Sequence, residues 1–141
     1  MKYILVAALL ASAGALAADA PPKPATLGKT YLNPNGGTIL RPLTDPKMYG
    51  GAEIDMGELT FPPNIDSGDH VHGSVETFYV LEGELEHVVN GKSIFLKPGM
   101  VGTVRPPDKV RHKTGAAGAK AIVVWAPGGE MARIATRWKE Q

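Results

Sequence analysis

Residues 69–83 read DHVHGSVETFYVLEG, and this stretch decides the fold. The run 76–81 is rich in aromatic and β-branched residues, which is typical of a β-strand. Because side chains on a strand alternate between its two faces, one set should point inward and the other outward. The predicted inward set is Glu76, Phe78 and Val80. The same alternation predicts that the imidazoles of His70 and His72 lie on one face of a strand.

Working outward from this stretch, short apolar segments are separated by Gly, Pro, Asn and Asp across residues 38–127. Eight short strands with turn signals between them favour an all-β sandwich or barrel. Asn90-Gly91 lies between two of these segments and predicts a tight hairpin. The predicted strands are 38–43, 52–61, 76–81, 85–89, 93–96, 101–105, 110–114 and 121–125. Residues 128–141 form a tail that predicts a helix, because one helical face carries Met131, Ile134, Ala135 and Trp138.

Composition excludes several classes of protein. The 141 residues carry 15 Lys and Arg against 14 Asp and Glu, so the chain has neither the basic charge of a nucleic-acid binder nor an acidic tail. No cysteine is present, which excludes disulfides, a zinc finger and a thiolate nucleophile. With 17 Gly and 12 Pro, the chain is too rich in helix breakers for a helical bundle.

The first residues resemble a targeting segment rather than part of the fold. Lys2 precedes an apolar run that ends at Ala15-Leu16-Ala17, a small-x-small cleavage site. We therefore predict a signal peptide over residues 1–17 and a secreted or periplasmic location, with no membrane contact after cleavage. The alternative is a membrane anchor, for which this run is short. Residues 18–37 begin with several prolines and are predicted to be an N-terminal linker.

Three of the four histidines and one carboxylate form a pattern that predicts a metal site. His70 and His72 are followed by Glu76, and His112 comes later, after a hairpin and a Pro-rich turn. Three neutral imidazoles and one carboxylate are a donor set that suits a divalent metal. The alternative is a group of surface histidines and a solvated glutamate.

Residues 69–83 resemble the first motif of the cupin superfamily, and residues 107–112, PDKVRH, resemble its second motif. The resemblance covers roughly residues 38–127. It implies a jelly-roll barrel, here with a short C-terminal helix, and a divalent metal held by His70, His72, Glu76 and His112. It does not imply one activity, because a fold does not fix a function.

Several functions are compatible with this resemblance. Similarity to cupin dioxygenases of the quercetinase type implies a metal-dependent dioxygenase acting on a small oxygen-rich substrate, with Glu76 as the candidate catalytic residue and Fe, Mn or Ni as the metal. The alternatives are a cupin isomerase or decarboxylase, or a binding module for a metal or small metabolite. Zn²⁺ is the main rival metal, because four protein ligands would close its site.

Two further expectations concern the surroundings of the metal. His87 shares the apolar face of its strand, either as an ordinary half-buried histidine or as a group that supports the metal ligands. The opposite face of the strand 76–81 carries Thr77, Tyr79 and Leu81 and is largely apolar. This face predicts a homodimer, because open sheets are commonly covered by two-fold pairing.

Overall fold

The computed structural model describes residues 25–49 and 53–141, so the predicted signal peptide lies outside the described residues. In this part of the chain no helix is long and apolar enough to cross a membrane. A short 3₁₀ turn occupies Pro46–Met48. The remaining elements are β1 (Tyr31–Leu32), β2 (Ile39–Pro42), β3 (Asp55–Phe61), β4 (Val75–Val89), β5 (Lys92–Leu96), β6 (Val101–Val104), β7 (Val110–Ala126), α1 (Glu130–Arg137) and β8 (Lys139–Glu140).

The strands pair in the antiparallel order β5-β4-β7-β3-β2-β1-β8, and β6 pairs with the free edge of β4. β4 is the hub, because its first half pairs with β6, its second half with β5, and nearly its whole length with β7. This arrangement confirms the predicted all-β, cupin-type jelly roll with a short C-terminal helix.

Two long strands replace two pairs of predicted short ones. The predicted strands 76–81 and 85–89 are one strand, β4, and those at 110–114 and 121–125 are one strand, β7. Each bends where the register shifts, around Gly83. Gly83 has φ +73°, and a Cβ there would overlap the carbonyl oxygen of Gly118. The glycines that signal turns in the sequence therefore bend continuous strands, because only glycine allows the backbones to approach so closely.

The predicted alternation on β4 is confirmed. Glu76, Phe78 and Val80 are buried, while Tyr79 and Leu81 are exposed. The inward side chains of β4 join one hydrophobic core with those of β3 and β7, which include Phe61, Val123 and Trp125. One end of this core carries the histidines.

Strands β1 and β8 and helix α1 are the outermost elements of the described fold. β1 falls within the range predicted as linker, where Tyr31 is fully buried, and it pairs with both β2 and β8. The predicted helical tail is confirmed as α1. Its apolar face packs on the core through Met131, Ala135, Ile134 and Trp138. The apolar face of α1 thus packs on the core, where the helix contacts β3.

Asp55, on β3, caps the N-terminus of α1 although it is far from this helix in the sequence. The N-cap position of α1 is Gly129, which has no side chain to cap the helix. Instead, Oδ2 of Asp55 accepts hydrogen bonds from the N–H groups of Gly129, at 2.7 Å, and Met131, at 2.9 Å. A buried carboxylate therefore satisfies helix N–H groups that have no partner within the helix.

Candidate metal centre

The four predicted ligands come from three segments. Glu76 is the second residue of β4, and His112 lies near the start of β7. His70 forms only an isolated bridge to Val110, and His72 lies in the loop before β4. The prediction that His70 and His72 sit on a strand is therefore wrong. Gly73 and Ser74 form a bend before β4 begins, so this segment follows a loop rather than a ladder.

The structure nevertheless brings all four side chains together. The ring centroid of His70 lies 5.0 Å from that of His72 and 5.4 Å from that of His112. His72 Nε2 is 3.0 Å from Glu76 Oε2. The loop and the two strands thus place three imidazoles and one carboxylate at the same end of the barrel.

A backbone contact sets the tautomer of His70. Its Nδ1 lies 3.1 Å from the carbonyl oxygen of Gly68. A carbonyl oxygen only accepts hydrogen bonds, so Nδ1 carries the proton and Nε2 keeps a lone pair. This is the arrangement that orients a metal-binding histidine.

Glu76 is held through one carboxylate oxygen, and its other oxygen faces His72. Trp125 Nε1 donates a hydrogen bond of 2.8 Å to Oε1. The other oxygen, Oε2, lies 3.0 Å from Nε2 of His72 and forms an ion pair with it when that imidazole is protonated. Within the described part of the chain neither of these buried atoms has any further partner. Their separation of 3.0 Å is also that of two adjacent ligands around an octahedral ion, about 3 Å for metal–ligand bonds of about 2.1 Å.

His112 has a second histidine as its partner. Its Nε2 lies 3.2 Å from Nδ1 of His87, and the two rings stack at 5.3 Å between centroids. Burial lowers the pKa of His112 well below its usual value, and the nearby imidazoles of His87, His70 and His72 lower it further. Burial also lowers the pKa of His87. His87 is therefore fully buried behind a predicted ligand, rather than half-buried on the sheet.

The four side chains lie close together but are not arranged as a complete set of metal ligands. Within residues 25–49 and 53–141, no group of three or more His, Cys, Asp or Glu side chains is arranged to hold a metal ion. Nε2 of His112 contacts His87. The donor types of the other three residues suit a metal, because His70 offers a lone pair and His72 faces Glu76, but their positions would have to adjust to share one ion. A metal would also have to replace the His87 contact at Nε2 of His112.

Access to these residues is through a cleft with two parts. An inner chamber of about 70 Å³ is lined by all four predicted ligands together with Phe78 and neutral or apolar side chains. An outer cleft of about 390 Å³ is lined by His70, His72 and part of α1. The two share lining residues that include Ser67, Ile134 and Trp138.

Glu130, the first residue of α1, contributes to this site although sequence reasoning did not identify it. Its Oε1 accepts hydrogen bonds from the N–H of Gly73, at 2.6 Å, and from Arg133, at 2.8 Å, and its Oε2 lies 3.9 Å from Nδ1 of His72. Burial acts to lower the pKa of His72, but Glu130 and Glu76 outweigh it and raise that pKa to about 9. The sequence carries no local signal for this contact, because Gly73 and Glu130 are 57 positions apart.

The sequence profile described as Cupin domain, Cupin_2, matches residues 57–127, just over half of the chain. The chain belongs to the cupin family. A search of curated protein sequences finds no match. The cupin match ends before α1, so Glu130 and the rest of that helix lie outside the matched residues.

Several solved cupin structures resemble this cupin. An RmlC-like cupin from Shewanella frigidimarina is 22% identical, with a TM-score of 0.61 over 72% of this chain and 86% of its own. A protein from Thermotoga maritima described as a predicted oxalate decarboxylase is 21% identical, with a TM-score of 0.61 over 74% of this chain and 92% of its own. KdgF from a Halomonas species is 14% identical, with a TM-score of 0.61 over 72% and 88%. At these identities the likeness supports the fold alone.

Proposed function

We propose that this cupin binds one divalent metal through His70, His72, Glu76 and His112. The observation that carries the proposal is the buried pair of His72 Nε2 and Glu76 Oε2, which lie 3.0 Å apart and have no other partner among the described residues. A lone pair and a carboxylate this close need a cation between them, and a metal ion would compete with a proton for that place. The fixed tautomer of His70 orients a third donor, and the bond from Trp125 orients Glu76.

We further propose that the metal-bound protein is a dioxygenase for a small oxygen-rich organic substrate. When bound, the metal would polarise a substrate oxygen and support electron transfer to O₂. Glu76 holds one carboxylate oxygen toward His72, and Leu59, Phe61 and Phe78 contribute apolar side chains to the inner chamber. Apart from the predicted ligands, the described lining of that chamber contains no acid or base. This favours oxidation over an isomerase or decarboxylase that relies on proton transfer from the protein.

The second candidate is a binding module without turnover. It is favoured by the contact between His112 and His87, which competes with a metal for Nε2 of His112. A site that holds Zn²⁺ with all four residues would be closed and would bind without redox chemistry. We propose Fe, Mn or Ni for the dioxygenase and Zn²⁺ for the binding module.

The experiment that separates these functions is metal exchange followed by an oxygen electrode. The chain is stripped of metal, loaded with Fe²⁺, Mn²⁺, Ni²⁺ or Zn²⁺, and screened with catechols, flavonoids and diketones. The dioxygenase predicts oxygen uptake with at least one redox-capable ion and none with Glu76→Gln. Saturable metal or ligand binding without oxygen uptake for every ion would contradict the dioxygenase and leave the binding module.

A chelator tests the metal site independently of activity. A ligand that binds only the folded state adds about 2.7 kcal/mol of stability at a hundredfold excess over its Kd. EDTA should therefore lower the melting temperature of the metal-loaded chain, and His72→Ala should abolish that effect. A melting curve that is unchanged by EDTA would contradict the metal site.

We also propose that this cupin is exported and that it forms a homodimer. Export rests on the signal-like residues 1–17, and N-terminal sequencing of the exported protein tests it. Homodimer formation rests on the outer face of β4, where Tyr79 and Leu81 are exposed beside Val101 on β6. Light scattering that gives the mass of one chain would contradict the dimer, and Tyr79→Glu should split one that forms.

A further inference from the structure

We infer that α1 provides an anion subsite at the mouth of the cleft, so that the ligand of this cupin is a small organic acid. The inference rests on the proposed metal site, because it assigns one end of the ligand to the metal and the other to α1. The residues that carry it are Arg133 and Arg137 on α1, which both line the outer cleft.

The two arginines share one face of α1. They are four positions apart, which places their side chains one above the other with about 6 Å of axial rise between them. Arg133 lies next to the loop that carries His72. A Cβ added to Gly73, in that loop, would be 3.0 Å from Nη1 of Arg133. Arg137 is one turn farther along the helix and exposed. The pair therefore extends outward from the metal ligands along the cleft.

The charges in the cleft leave a positive excess. Glu130 is the carboxylate among the described lining residues of the outer cleft, and its Oε1 is bonded to Arg133 and to the N–H of Gly73. Arg133 is therefore partly neutralised. Arg137 forms no ion pair with the residues that the structure describes, and its guanidinium keeps a set of donors in a geometry that matches a carboxylate.

The other residues that line the outer cleft indicate which chemical groups the ligand carries between its two ends. Asn33, Thr38 and Ser67 offer neutral polar groups, and Ile134 and Trp138 form an apolar wall between α1 and the histidines. A volume of about 390 Å³ is within the range of small-molecule sites. The cleft thus fits a molecule with an oxygen donor at its metal end, a short apolar body and a carboxylate at its outer end.

The test uses dicarboxylates as probes, because they carry a charged group at each end. Malonate, succinate and glutarate are titrated calorimetrically at low ionic strength into the chain loaded with Mn²⁺, and again after EDTA treatment. Succinamide is the neutral analogue of succinate. We expect Arg137→Gln to weaken the best dicarboxylate about tenfold with or without metal, and Arg137→Lys to recover part of the loss. Succinamide should bind both proteins equally.

Arg105→Gln is the matched control. Arg105 is exposed and lies outside the described lining of both parts of the cleft, so its loss changes the net charge by the same amount. The subsite predicts unchanged affinity in this variant, with the melting temperatures of all variants confirming that they fold. Equal losses in Arg105→Gln and Arg137→Gln, or no loss in either, would overturn the anion subsite. Failure to bind Mn²⁺ would contradict the proposed function separately, since the effect of Arg137 is also read on the EDTA-treated chain.

Discussion

Trp125 and Glu76 are directly opposite each other on β7 and β4, and the indole Nε1 donates a 2.8 Å hydrogen bond to Oε1 of the carboxylate. The bond uses one carboxylate oxygen and turns the other toward Nε2 of His72, 3.0 Å away. Both Trp125 and Glu76 are almost fully buried. A core residue therefore sets the orientation of a predicted metal ligand, and this link between packing and chemistry can be tested.

Trp125→Phe should weaken metal binding by about 10-fold to 100-fold, because groups that orient a ligand contribute on this scale. The aromatic side chain still fills the core, so the protein should stay folded. Competition with a chromogenic chelator measures the affinity. Trp138→Phe is the control, since Trp138 lines the cleft without any hydrogen bond to Glu76. Equal affinity in Trp125→Phe and the unchanged protein would contradict this role of the indole.

Asp55→Ala should destabilise the fold by about 1–2 kcal/mol, the upper part of the range for a lost helix cap, because two N–H groups of α1 lose their acceptor. The measurement is urea unfolding followed by tryptophan fluorescence. Asp45→Ala is the matched control, because Asp45 caps the short 3₁₀ turn at an exposed site through the N–H of Lys47. If the two variants lose equal stability, Asp55 does not hold α1 in the proposed way.

Gly83→Ala should be strongly destabilising, by about 2–4 kcal/mol, because an added Cβ suffers both left-handed backbone strain and overlap with Gly118. Gly91→Ala separates the two effects, since Gly91 has a similar φ of +79° but nothing within 4 Å of the added atom. It should lose only about 1–2 kcal/mol, the cost of the backbone strain. Chemical unfolding of both variants gives the comparison, and a Gly83 variant as stable as the Gly91 variant would show that the strands can separate at this bend.

Asp66 should make stability depend on pH in the acid range. Hydrogen bonds from the Arg111 guanidinium and from the N–H of Gly68 lower its pKa from 3.8 to about 2. Because the folded-state pKa is the lower one, the stabilisation is present above about pH 4 and is lost as the pH falls toward 2. The effect should be small, since both side chains are partly exposed. Between pH 2 and 6, the melting temperature of Asp66→Asn should depend less on pH than that of the unchanged protein. An equal dependence on pH in the two proteins would contradict this.

The sequence allowed prediction of the features that depend on local periodicity. The alternation on β4 and the apolar face of α1 follow from repeats of two and 3.6 residues, which hold wherever the element packs on a core. The clustering of His70, His72 and Glu76 follows from their short separation. Bends inside long strands were not predictable, because Gly83 and Gly118 signal turns in the sequence and the structure uses them for close backbone contact.

Contacts between distant residues were not predictable either. Asp55 caps a helix 74 and 76 positions away, and His87 reaches His112 only because β4 and β7 pair in one register. The local alternation of a strand tells which face a side chain takes, but not which residue of a distant strand lies opposite it. The contact of Glu130 with the His72 loop depends on the same global arrangement.

The central claim is that His70, His72, Glu76 and His112 hold one metal ion, and metal stoichiometry tests it most directly. The chain is loaded with Mn²⁺, freed of excess ion by gel filtration and analysed by inductively coupled plasma mass spectrometry beside Glu76→Gln. The glutamine keeps an oxygen that can accept the bond from Trp125 but removes the negative charge. The account predicts about one ion per unchanged chain and a large deficit in Glu76→Gln. Equal metal content in the two proteins, or none in the unchanged one, would contradict it.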